Sequence, residues 1–298
     1  MRIALRLSAA LLLLLAGAAA SASSDSTFDR QVPAQPRGVV DISNVAGHIE
    51  VKGWDRSEVS VHAELDSDVE RVDVSSEGGH TIIKVFVPHA SGHGGEVHLQ
   101  VKIPKESELN VSAVSADVTV SGVLGVQRIN AVSGDISTEL AGADVELKAV
   151  SGDLRARGHG QPARLTLSTV SGDVRLEHAA GDLEASTVNG TVTMSLDSAR
   201  SVHVRTTSGD LRFEGKLTSG ATVEATTVSG DLNVRASADG GFEYEVSSFS
   251  GDISDCFNAS AEHSKYGPGS RLTGTRGEGA GHVRLRTMSG DVQLCDRP

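Results

Sequence analysis

Residues 145–157 read VELKAVSGDLRAR, and residues 165–177 read LTLSTVSGDVRLE. Aligned on Gly152 and Gly172, the two stretches agree position by position. Five residues before the glycine stands Leu147 or Leu167, three before it a small residue, Ala149 or Thr169, and two after it Leu154 or Val174. Polar residues fill most places between. Alternation of period two is the pattern of a strand with one buried face. Outward from this pair, Ser-Gly-Asp recurs at Gly134-Asp135, Gly209-Asp210, Gly230-Asp231, Gly251-Asp252 and Gly290-Asp291, so that with Gly152-Asp153 and Gly172-Asp173 there are seven copies. Looser copies centre on Gly47, Ala116 and Gly190. From position 116 to Gly251 the steps run between 18 and 21 residues. A fixed period near 20 residues marks a repeat architecture. A catalytic nucleophile is one residue in one place, so a motif recurring along the chain first builds a shape.

The polar–apolar alternation breaks two residues before each glycine. Val114, Val132, Val150, Val170, Val188, Val228, Phe249 and Met288 are apolar there, directly after the small inward residue. A break of phase followed by Ser-Gly-Asp reads as a corner, where glycine adopts a backbone shape that a β-carbon penalises and Ser and Asp bond nearby amides. A second turn per repeat lies at Ala141–Asp144 and again at Ala179–Asp182. Each repeat then holds two short strands and two turns. The expected fold is all-β: an elongated β-solenoid of stacked two-strand coils of about 18–21 residues, with a β-rich N-terminal cap. No coil buries its own apolar face, so stacking makes the core.

Residues 1–22 read as a signal peptide, with Arg2 and Arg6 before an apolar run through Leu15 and an Ala20-Ser21-Ala22 cleavage pattern. The run is too short for a good membrane span. Residues 23–37, rich in Ser, Asp, Gln and Pro, read as a flexible tether. Residues 38–110 hold a first coil and the cap, and 111–298 the solenoid repeats, with a loop excursion at 258–281. The formal charge is −12, and losing Arg2 and Arg6 with no acid takes it to −14. Such a surface repels phosphate backbones and anionic lipid, which argues against nucleic acid and against stable membrane insertion after cleavage. Cys256 and Cys295 each lie five residues after their glycine. If their coils are stacked neighbours they share a register about 4.8 Å apart, within the roughly 4.4–6.8 Å Cα range of a disulfide. An oxidising compartment permits the bond, and the alternative is two buried free thiols.

The series resembles the bacterial DUF4097 family, adhesin candidates built of β-strand repeats. The marks are the opening Gly47-His48-Ile49-Glu50-Val51-Lys52-Gly53-Trp54, then Val101-Lys102-Ile103-Pro104, then the Val-Ser-Gly-Asp series ending at Thr287-Met288-Ser289-Gly290-Asp291-Val292. The resemblance spans roughly residues 38–295. It implies an exported β-solenoid and brings no catalytic residues. Departures at Ala116 and at Asn189-Gly190-Thr191 imply irregular coils there without loss of fold.

Stacked corner aspartates would form a carboxylate ladder. Neighbours about 5 Å apart repel by roughly 0.8 kcal/mol in bulk water. Amides of each aspartate's own turn, or divalent cations, would offset that. His89, His93 and His98 could ligate zinc or copper, but their glycine-rich setting fits a solvated loop better. The outward residue three after each glycine forms a polar strip whose members include Arg155, Arg175, Arg212 and Asn233, suited to an acidic glycan or a partner protein. An ordinary solvated sheet face is the competing reading. No G-x-S-x-G elbow occurs, and no His–Asp pair stands apart.

The function expected from the sequence is therefore a non-enzymatic exported scaffold without cofactor, acting as an adhesin or in interactions at the cell envelope. It would sit in the periplasm or at the cell surface, its partner an envelope protein or a glycan. The alternatives are a periplasmic glycan- or partner-binding component of envelope stress, and an enzyme acting on polysaccharide.

Overall fold

A computed structural model describes residues 26–66, 69–87, 95–257, 259, 261–263 and 269–296. The signal-peptide assignment at 1–22 lies outside them. Every regular element among the described residues is a strand, and no helix there is long and apolar enough to cross a membrane.

The repeats lie on one another in parallel and in register. Leu147 lies opposite Ile129 on one side and Leu167 on the other, and Leu154 lies between Ile136 and Val174. Among the repeats, segments before the corners pair with one another and segments after them do the same. The result is two parallel ladders joined at the corners, called here the first and second walls. Their inward side chains belong to one buried cluster. The narrow interior explains the small residue three before the glycine. It is Ala113, Ala131 or Ala149 in early repeats and a buried hydroxyl in later ones. Thr169 Oγ1 donates to the Gly152 carbonyl (3.3 Å) and Ser248 Oγ to that of Gly290 (3.0 Å), so these two hydroxyls are buried with an acceptor, whereas Thr206 Oγ1 and Thr227 Oγ1 are buried without one.

The spatial order departs from chain order at both ends. The first repeat, Val39–Trp54, is not terminal. It lies between His80–Phe86 with Val97–Pro104 on one side and Glu108–Ser121 on the other. The last repeat, Gly281–Ser289 with Val292–Cys295, inserts between the Gly230 repeat and the Gly251 repeat. The Cys256–Cys295 disulfide, with Cα atoms 4.9 Å apart, joins the inserted repeat to the outer one.

Two sequence expectations are corrected here. Part of the supposed tether at 23–37 is the strand Ser26–Pro33, paired antiparallel to Glu58–Leu65. Its polar, charged composition resembles a linker because it is an edge strand with a solvated face. The supposed loop excursion at 258–281 contains the strand Ser270–Gly277, paired antiparallel to Gly241–Ser248. Its glycines mask a strand whose alternation is carried by few apolar residues, Leu272 chief among them. Antiparallel strands thus close both ends of the first wall, with Arg71–Glu77 at the other end. At the C-terminal end Phe257 packs with Phe242 and Tyr244 (centroids 6.4 and 5.6 Å), and the Arg276 guanidinium lies 4.5 Å over the Phe257 ring. These rings cover the last inward layer.

The rungs at Ala116 and Gly190 keep the common register, with Ala116 opposite Gly47 and Asn189 between Ser171 and Ser208. The Ala116 rung is regular, whereas the Gly190 repeat carries the expected irregularity without loss of fold: its backbone register shifts between Glu177 and Asp182 and again between Leu196 and Ser201.

Candidate functional site

Each corner is built by its neighbour. At Gly152 φ is +151°, and an added Cβ would stand 2.1 Å from the Gly134 carbonyl oxygen. The same close approach of corner on corner recurs from Gly134 through Gly251. It requires glycine because backbone atoms on both sides cannot yield. Beside it the backbone ladder runs in one direction: Leu154 N–H donates to the Asp173 carbonyl (2.9 Å). Asp173 N–H would then lack a partner, and Asp153 Oδ1 accepts it (2.9 Å). Asp135 accepts from Asp153 N–H (2.9 Å), Asp231 from Asp291 N–H and Asp291 from Asp252 N–H (both 2.8 Å). The carboxylates therefore satisfy the amide of the next repeat, not of their own turn. A parallel ladder offers each corner amide to the adjacent rung. The Asp153 N–H, helped by Arg155, holds the Asp135 carboxyl below the usual carboxylate range against an opposing effect of burial.

The polar strip lies on the outer face of the second wall. Arg155, Arg175, Thr193, Arg212, Asn233 and Gln293 occupy successive rungs in register. Their charges are not free. Arg155 bonds Asp135 (2.9 Å) and Asp153 (2.7 Å), Arg175 bonds Glu177 (2.7 Å), and Arg212 reaches Asp210 (3.4 Å). Asn233 Nδ2 donates to Gln293 Oε1 (2.9 Å). The strip is a neutralised hydrogen-bonding surface more than a cationic one.

The outer face of the first wall holds what sequence reasoning misread. Burial alternates through the position two before the glycine, where the side chain points to solvent. The break lies in polarity, not in facing. In spatial order the position is Val45, Val114, Val132, Val150, Val170, Val188, Thr207, Val228, Met288 and Phe249. Its apolar members are 38–57% exposed. They form a ridge along the full length of the wall. The signal was in the sequence, as nine apolar residues at one outward phase. Beside the ridge, the rows four and six before the glycine carry Asp41, Glu146, Glu184, Glu224 and Glu245 against Arg128, Lys148, Arg205, Arg284 and Arg286. Several pair within the wall, among them Lys148 with Glu146 and Arg284 with Glu245.

Of the histidine candidates, His89 and His93 lie outside the described residues. His98 faces His48 with ring centroids 5.2 Å apart, in an open groove of about 700 Å³ that Glu64, Glu96 and Asp117 also line. Among the described residues no three His, Cys, Asp or Glu side chains are placed to hold a metal ion.

The family description Toastrack DUF4097 matches residues 40–295. No curated protein matches the chain. Among solved structures, an adhesin candidate from Bacteroides fragilis NCTC 9343 is 10% identical, with 91% of this chain and 98% of that one covered and a TM-score of 0.45. An adhesin candidate from Parabacteroides merdae ATCC 43184 is 10% identical, with 91% and 97% covered and a TM-score of 0.39. A candidate cell adhesion protein from Clostridium sporogenes ATCC 15579 is 8% identical, with 91% and 99% covered and a TM-score of 0.23.

Proposed function

The chain belongs to the Toastrack DUF4097 family, and on that premise we propose that it is a non-enzymatic exported scaffold. In this reading the paired ladders are a β-solenoid of two-strand coils that presents long, repeated faces to a partner at the cell envelope. One observation carries the proposal. The chemistry of the outer surface recurs rung after rung in register, from Val39–Trp54 to the Gly251 repeat. An array of this kind binds through many weak, equally spaced contacts, and its affinity comes from their number. The Cys256–Cys295 disulfide supports export, because such bonds persist in oxidising compartments.

Within this reading a protein partner is favoured over an acidic glycan. The arginines of the polar strip already satisfy Asp135, Asp153, Glu177 and Asp210, and a glycan carboxylate would have to displace those partners. Crosslinking on intact cells with the full chain as bait is expected to recover a reproducible envelope protein. Surface protease shaving set against osmotic-shock release separates display at the surface from a periplasmic site. A chain found in the cytoplasm with both cysteines reduced, or turnover of polysaccharide by the purified protein, would overturn the proposal.

A further inference from the structure

Neither the fold nor the proposed function uses the apolar ridge of the first wall. We propose that this wall is a self-association surface whose occupant is the same wall of a second copy of the chain.

The fold does not require the ridge. Thr207 stands at this position in one rung, equally exposed to solvent, and its neighbours keep their register through Thr206 and Ser208. Nine other rungs nevertheless expose Val, Met or Phe there. A contiguous apolar strip of more than a few hundred Å² marks a site of interaction.

Charge selects the occupant. The chain carries −12 overall, yet the two outward rows beside the ridge hold five acids against five bases. Half of the acid excess lies in residues 23–110, and within the repeats it is concentrated in the row of corner aspartates. Two copies meeting along the corner row would bring those aspartates together. Two copies meeting through their first walls would not. A strongly charged partner of either sign gains nothing from this neutral wall.

Spacing and area agree with that choice. The ridge side chains repeat at the inter-strand distance of about 4.8 Å. A second copy carries the same spacing, so its side chains can settle between these along the whole length, as an isologous contact requires. Ten rungs of three outward rows cover about 45 Å by about 17 Å, or roughly 750 Å² on each copy. A stable interface of standard size takes about 800 Å² per partner. This inference is independent of the envelope reading.

Sedimentation velocity of the intact, disulfide-bonded chain over a concentration series tests it. A reversible dimer is expected. The set Val150→Thr, Val170→Thr and Val188→Thr is expected to raise the dimer dissociation constant by at least about tenfold. Its far-UV circular dichroism and Tm should stay unchanged, because Thr207 already shows threonine to be compatible with this position. Glutamate at the same three positions is expected to raise the constant by more than about a hundredfold, since each would bury an unpaired charge. If the glutamate set does not fold, the threonine set decides. Arg175→Glu on the second wall is expected to leave the dimer intact. The proposal is overturned by a wild-type chain monomeric throughout, or by a dimer indifferent to both ridge sets. Ridge-dependent binding of phosphatidylcholine vesicles by a chain that stays monomeric would also overturn it, assigning the wall to lipid.

Discussion

Gly152 and Asp135 show how one residue type can be required by a neighbour about 20 positions away. A methyl group at Gly152 would sit 2.1 Å from the Gly134 carbonyl oxygen. Gly152→Ala is therefore expected to cost more than about 3 kcal/mol, read as a fall in Tm, because neither backbone can move without breaking the ladder. Asp135 acts through its acceptor oxygen. Asp135→Ala leaves the Asp153 N–H without its partner. The expected loss is about 1 kcal/mol, since the site is half exposed and solvent offsets part of the bond. The pH dependence has a definite sign. The folded-state pKa of Asp135 is depressed, so its contribution is present above the ordinary carboxylate value of about 4 and fades as pH falls through the depressed value. The stability difference between wild type and Asp135→Asn, measured by urea unfolding, should shrink between neutral pH and about pH 3. The pairing of Gly with Asp was legible in the motif. The direction of the carboxylate was not, because a single repeat does not show which amide lacks an acceptor.

At the scale of elements, the inserted repeat is the decisive feature. Gly281–Ser289 and Val292–Cys295 take their hydrogen bonds from repeats on both sides, so this rung must enter a gap left open by earlier chain. The disulfide closes a loop with a sequence separation of 39 residues and ties the rung in place. Reducing it is expected to cost about 4 kcal/mol on the loop-entropy estimate. Hydrogen exchange should then rise first in 241–255 and 281–295, while the strands at 145–157 and 165–177 stay protected. Leu285 is wholly buried in the inserted rung, and Leu285→Ala is expected to cost about 2–5 kcal/mol in chemical denaturation. Chain order suggested that the last repeat stacks after the others. Period and composition are the same whether a repeat is added or inserted, so only pairing could distinguish the two.

At the scale of the molecule, each rung contacts only its neighbours, and stability is close to a sum over rungs and their interfaces. Deleting residues 153–172 removes one period and leaves the motif reading Ser151-Gly152-Asp173-Val174. The shortened chain is expected to keep its β-sheet circular dichroism and unfold cooperatively at a lower Tm. Deleting residues 278–298 is a different operation, because it strips the Gly230 and Gly251 rungs of the strand between them. That variant is expected to aggregate through its unpaired edges, as light scattering would show. The same repetition gives the surface its two faces: a hydrogen-bonded second wall bordered by the row of corner aspartates, and a neutral first wall carrying the ridge.

By itself the sequence determined the all-β class, the period, the inward residues and the glycine corners. Each of these follows from local alternation and from a side chain that the backbone cannot tolerate. Only the tertiary structure decided which rung lies beside which and which amide each aspartate serves. Those outcomes depend on contacts between segments up to 69 residues apart, and alternation within one strand carries no information about what lies across the ladder.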